Sequence, residues 1–127
     1  KYEMDMPSSR IDIVADQYSK NATDISRIIR KIKAHYNEIK AVELRFLKSH
    51  DVNLVMEDSA IDHVIKNIFG SKINLKGLFK QLSDDFEYGL KLVRDKTGRN
   101  RFFITREALL APEKFIESLI KDKLQID

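Results

Sequence analysis

One apolar period governs what this chain can fold into. Ile25, Ile28, Ile29, Ile32, Tyr36, Ile39, Val42 and Phe46 recur at the spacing of a single helix face. Thr23 offers an N-cap ahead of them, with Asp24 in the first turn. The pattern predicts a long amphipathic helix ending near Ser49. Its apolar stripe needs partners to cover it, and the remaining sequence is patterned to supply them.

Val52, Leu54 and Met56 alternate with Asn53 and Val55 between Asp51 and Asp58, as in a short strand. A second helix opens near Asp58, carries Ile61, Val64, Ile65 and Ile68 on one side, and ends at Gly70 in a left-handed C′ position. Asn74 caps a third helix with Leu75, Leu78, Phe79, Leu82 and Phe86 along one face. Gly89 is expected to stop it, because glycine inside a helix costs about 1 kcal/mol. Beyond it, Leu90 and Leu92 alternate with Lys91 and Val93, Asp95-Lys96-Thr97-Gly98 has turn composition, and Phe102 to Thr105 forms a returning strand. The expectation is a β-hairpin; the alternative carries the third helix on to Lys96 and leaves only the Phe102 strand. Pro112 at an N1 position, Glu113 after it, and Lys121 and Lys123 toward the end frame a final helix with the stripe Phe115, Ile116, Leu119, Ile120 and Leu124.

Residues Lys1 to Asn21 carry Pro7, Ser8 and Ser9 and then alternate at Ile11 and Ile13, which reads as a connector with one short strand or turn of helix. The fold class is therefore α+β, mainly helical with a two- to three-stranded sheet, divided into a connector over 1–21 and a domain over 22–127. A length of 127 residues fits one core rather than two. The 43% hydrophobic and 34% charged composition is that of a folding chain and not of a disordered one.

No apolar run reaches the roughly 18 residues of a membrane span, and the N-terminus lacks a signal peptide's apolar block; a cytoplasmic protein is expected. The first residue is Lys and not Met, the expectation for a processed product or a segment of a longer protein. Cysteine is absent, which removes disulfides, thiolate catalysis and Cys-ligated zinc. His35, His50 and His63 do not share a helical face at ligand spacing, so no metal site is expected. Asp84, Asp85 and Glu87 lie too close in sequence to point one way from a helix and read as a solvated face. The serines have no glycine-elbow context, and Gly70, Gly77, Gly89 and Gly98 are too dispersed to cradle a phosphate. This segment has no means of hydrolysing ATP alone.

The net charge of +3 and pI near 9.1 arise from interleaved charges. Arg27, Arg30, Lys31, Lys33 and Lys40 on the first long helix, and Lys96, Arg99, Arg101 and Arg106 near the expected hairpin, are the residues a nucleic-acid-binding module would use. Glu38 and Glu43 intersperse the first cluster and Glu107 and Glu113 follow the second, which favours a solvated surface.

The run Val52-Asn53-Leu54-Val55-Met56-Glu57-Asp58-Ser59-Ala60-Ile61 resembles the strand-then-helix segment in the small C-terminal domain of Clp/HslU-type AAA+ unfoldases. Met56-Glu57 replaces that family's Phe-Thr, while Ala60-Ile61 keeps the apolar helix start. Downstream, Asn74-Leu75-Lys76-Gly77-Leu78 stands where the family has Gly-Ala-Arg-Gly-Leu, at the same distance from the strand. Phe103 to Leu110 and the Pro112 helix are similar to its closing strand and tail, so the resemblance spans about Ile39 to Leu124. It implies a lid domain of an ATP-dependent unfoldase subunit. Lys76 would take the place of the sensor 2 arginine that reaches the phosphates of ATP or ADP, bound with Mg in an adjoining large domain, and Lys72 lies near it. Lysine brings a point charge without arginine's planar fork. The implied partners are the large domains of the same and the neighbouring subunit in a homo-hexamer, together with a peptidase in some assemblies. Tyr36 and Phe46 are candidates for the apolar interface. The competing expectations are a nucleic-acid-binding module built on the basic helix and an adaptor that only oligomerises.

Overall fold

The computed structural model describes residues 7–21, 24–70 and 74–126, without the side chains of 19–21 and 122–126. Its elements run α1 (Ser8–Asn21), α2 (Ile25–His50), β1 (Asn53–Met56), α3 (Asp58–Phe69), α4 (Leu75–Thr97), β2 (Arg101–Ile104), α5 (Arg106–Leu110) and α6 (Pro112–Ile126). The class is α+β: helices wrapped on a small sheet of two strands, β1 and β2, paired in parallel.

The long stripe of α2 does what its period requires. Ile28, Ile32, Ile39 and Phe46 are buried, and the helix packs on α1, α4, β1 and α3. Its N-cap is Asp24, whose carboxylate accepts Ser26 N–H at 3.1 Å; Thr23 lies outside the described residues. At the other end Asp51 adopts left-handed φ of 55° and its N–H returns to Leu47 C=O. Arg94 of α4 donates from Nη1 to the Asp51 carbonyl at 2.7 Å, so an orphan carbonyl beyond the last turn of α2 is satisfied by a neighbouring helix.

Three sequence expectations need correction. First, α4 passes through Gly89 to Thr97, so there is no hairpin, and Leu90 and Val93 join the buried stripe of Leu78, Leu82 and Phe86. Gly89 is kept small by packing: a Cβ built there would lie 2.8 Å from Ile116 Cδ1 on α6. The Asp95 to Gly98 tetrapeptide is the end of this helix, with Gly98 at φ 76° and its N–H on Arg94 C=O. The connection then brings β2 alongside β1 in the same direction, which a two-residue hairpin turn cannot do. Second, Ser8–Asn21 is a helix and not a strand or single turn, and its Ile13 and Val14 belong to the core. Pro7 opens it by lending its carbonyl to Arg10 and Ile11 N–H. Third, Gly70 ends α3 at φ −83°, outside the left-handed region.

The core lies between α2, α3, α4 and the inner face of the sheet, where Leu54, Met56, Phe102 and Ile104 alternate inward. Thr105 caps the short α5, its hydroxyl accepting Ala108 N–H at 3.2 Å, and Pro112 starts α6 as its composition predicts. Phe115 and Ile116 lay α6 against α4. Among the described residues no helix is long and apolar enough to cross a membrane.

Candidate functional site

Asn74 sets the geometry at the start of α4. Its backbone is extended, its Oδ1 accepts Lys76 N–H at 2.9 Å, and its carbonyl accepts Gly77 N–H at 2.9 Å. Leu75 and Leu78 turn toward the core, which leaves Lys76 and Gly77 on the exposed side of the first turn. A Cβ at Gly77 would meet nothing within 4 Å, so the surface beside Lys76 is open. Among the described residues no carboxylate pairs with the Lys76 ammonium, whereas Lys80, one turn on, is held by Asp84 at 2.8 Å. Asn74 already engages the Lys76 and Gly77 N–H groups, and the positive end of the helix dipole adds to the lysine charge, so this end of α4 favours an anion. Lys72 falls within 71–73, outside the described residues.

The structure turns the other candidates inward or spreads them apart. Phe46 is fully buried, and Tyr36 is half-buried with its ring between the Arg10 guanidinium at 5.2 Å and the Lys40 ammonium at 5.7 Å. Phe46 is thus taken up by the core, and Tyr36 packs against it with part of its surface exposed. The large apolar side chains that do face outward include Ile11 and Tyr18 on α1, Leu44, Tyr88, Phe103 and Leu110. Of the basic residues on α2, Arg27, Arg30 and Lys31 are exposed, while Lys40 reaches Glu43 at 3.4 Å. Lys96, Arg99, Arg101 and Arg106 are exposed around β2.

Two polar clusters escaped sequence reasoning because their members are distant in the chain. In the first, Arg10 is 1% exposed and donates from Nε to Asp62 Oδ1 at 2.6 Å and from Nη2 to Asp58 Oδ1 at 2.8 Å. Ser9 adds a hydroxyl to the other Asp62 oxygen. Burial by itself would lower the Arg10 pKa, but the hydrogen bonds and charges of Asp62 and Asp58 outweigh it and raise it. The one sequence signal was an arginine inside the apolar face of a helix beginning at Pro7. This cluster joins α1 to α3, with Arg10 and Asp62 buried in it and Asp58 at its solvent-exposed rim.

In the second, His50 Nε2 lies 2.9 Å from Ser83 Oγ and His50 Nδ1 lies 3.3 Å from Glu87 Oε2, while Lys91 binds Glu87 at 2.9 Å. The order serine, imidazole, carboxylate is that of an acyl-transfer relay. The surroundings are not: Ser83 sits in the middle of α4, where its own and neighbouring N–H groups serve the helix ladder and leave no oxyanion donors. His50 also stacks on Phe79 at 5.6 Å and meets Phe46 edge-on at 4.7 Å, so the cluster fastens the end of α2 to α4. The Lys91 hydrogen bond lowers the Glu87 pKa, and the nearby His50 contributes in the same direction.

The remaining titratable groups have local explanations. Burial raises the Glu43 pKa, against the Met56 N–H it accepts at 2.9 Å and the nearby Lys40. Burial, with Arg106 and Lys66 nearby, lowers that of His63. Burial and then Asp84 raise that of Asp85. Among the described residues no group of histidines and carboxylates is arranged to hold a metal ion.

No protein-family model, curated protein or solved structure matches the chain.

Proposed function

We propose that this chain is the nucleotide-responsive lid of a AAA+ ATPase subunit of the Clp/HslU type, with Lys76 as its contact to the nucleotide. The observation that carries the reading is the Lys76 ammonium, exposed and without a carboxylate partner among the described residues, at the capped and anion-favouring start of α4. Supporting it are the order helix, strand, helix, helix, strand over α2 to β2 and the resemblance of the runs Val52–Ile61 and Asn74–Leu78. The described residues include no phosphate cradle and no metal cluster, so ATP and its Mg belong to the large domain in this reading. When bound, the nucleotide supplies a γ-phosphate whose loss on hydrolysis removes an attraction for Lys76.

This chain's own task is mechanical. The packing of α4 against α2 and α6, with Arg94 and His50 fastening the end of α2, lets the domain move as one body when Lys76 gains or loses its anion. The rotation would be transmitted to the neighbouring subunit of a homo-hexamer, and to a peptidase where one docks. The test is the coding sequence upstream of Lys1, which the reading requires to contain a P-loop and an acidic Walker B strand within roughly 300 residues. A different domain there refutes it.

A further inference from the structure

In a parallel pair, only alternate residues of each strand turn their backbone groups toward the partner. The register pairs Asn53 with Arg101 and Met56 with Ile104, and Glu57 N–H donates to Ile104 C=O at 2.8 Å. That parity points the backbone groups of Phe102 and Ile104 into the sheet and those of Arg101 and Phe103 to the outer edge of β2.

The two edges of this sheet are treated differently. Along β1 the outward Met56 N–H is taken by Glu43 of α2 at 2.9 Å. Along β2 the Arg101 carbonyl accepts from Arg99 Nε at 3.0 Å, but among the described residues no hydrogen bond reaches the N–H or C=O of Phe103. Phe103 is also 42% exposed, with the Arg101 guanidinium 5.6 Å from its ring centre. An uncovered strand edge beside an exposed aromatic ring is a template for another strand.

Charge selects the occupant. Arg101 lies against the Phe103 ring and Arg99 reaches the Arg101 carbonyl, so both charges stand at the edge, while the nearby Asp95 is engaged by Arg94 at 3.1 Å. A second copy of the chain pairing here would set these arginines against one another, and like charges placed opposite across strands destabilise the pair. An acidic strand meets no such cost.

We propose that the outer edge of β2 binds an extended acidic segment of a partner protein as a third strand, its main chain on Phe103 and Arg101, an apolar side chain on the Phe103 ring, and its carboxylates on Arg101 and Arg99. This does not depend on the lid reading. The strand supplies directional main-chain bonds, and the arginines supply the preference for acid and the faster encounter.

The probes are an end-capped peptide of alternating Glu and Val and its Lys and Val counterpart, titrated into the isotopically labelled chain and followed by amide NMR. The expected result is shifts centred on Arg101–Ile104, slowed exchange of the Phe103 N–H, and affinity for the acidic peptide about tenfold or more above the basic one. Phe103→Pro removes the edge donor at a position where sheets tolerate proline, and should weaken binding about tenfold or more. The surface pair Arg99→Glu with Arg101→Glu, checked for an unchanged fold by circular dichroism, should reverse the preference between peptides. Equal binding of both peptides, shifts centred elsewhere, or no binding overturns the proposal. So does tighter binding of single-stranded oligo(dT), which would make Phe103 a base-stacking platform, or a dimer that Phe103→Pro dissolves.

Discussion

Gly89 provides a quantitative test of how α4 and α6 pack. Replacing it with Ala has two opposed effects. In the interior of a helix the change is worth about 1 kcal/mol in favour of folding. In this position, however, the new Cβ would lie 2.8 Å from Ile116 Cδ1, 2.9 Å from Cγ2 and 3.0 Å from Cγ1. Those atoms include the root of the isoleucine and not only its flexible tip, so α6 must shift or Ile116 must leave its rotamer. Overpacking of this kind costs about 1–3 kcal/mol. The net expectation for Gly89→Ala is a loss of about 1 kcal/mol, or about 4 °C in melting temperature for a chain of this size. With Ile116→Ala in the background the obstruction is gone, and the same substitution should stabilise by about 1 kcal/mol, giving a coupling of about 2 kcal/mol in a double-mutant cycle. Urea unfolding followed at 222 nm for the four proteins measures it. Stabilisation of about 1 kcal/mol by Gly89→Ala in both backgrounds would refute the contact with Ile116 and leave Gly89 an ordinary position inside the helix.

Two further substitutions probe the polar contacts. Arg10→Met leaves Asp62 buried without its partner and should cost about 3 kcal/mol by urea unfolding, with most of it restored by adding Asp62→Leu; a loss below about 0.5 kcal/mol would mean that α1 is not anchored by this pair. Glu43 tests a pH dependence: its raised pKa means the folded state holds a proton over a window just above the ordinary value of 4.5 in which the unfolded state has lost it. The contribution of Glu43 to stability is therefore greatest on the acid side and falls as pH rises through the folded pKa. Glu43→Gln retains an oxygen for Met56 N–H but cannot titrate, so its stability relative to the parent should rise with pH across that window, and a relative stability that falls with pH contradicts the reasoning.

Which features were legible in the sequence follows from which forces are local. The stripes of α2, α3 and α6 and the alternation of β1 were visible because burial periodicity is written along the chain. The same signal continued through α4, since Leu82, Phe86, Leu90 and Val93 keep helical spacing. It lost to the local cost of Gly89, and that cost is outweighed by a contact with Ile116 that no local rule contains. The Asp95 to Gly98 tetrapeptide was read as a turn and assigned to the wrong element, because turn composition does not distinguish a hairpin from a helix end. The Arg10 and His50 clusters join residues separated by dozens of positions, and only Arg10, on the apolar face of α1, left a signal in the sequence. For the site, the Asn74 cap and the exposed first turn at Lys76 were readable, because both follow from the start of a helix. The open edge at Phe103 was not, because it depends on a parallel register set by two distant strands.

The central claim rests on one side chain. The measurement that tests it most directly is the steady-state ATP hydrolysis of the full-length protein carrying Lys76→Ala, with Lys76→Arg as the conservative control. Loss of a charge-assisted contact to phosphate is worth roughly 1.5–3 kcal/mol, so Lys76→Ala should lower kcat/KM for ATP about 10- to 150-fold, while Lys76→Arg retains most of it. Unchanged kinetics in Lys76→Ala would make Lys76 a solvated surface residue and contradict the account.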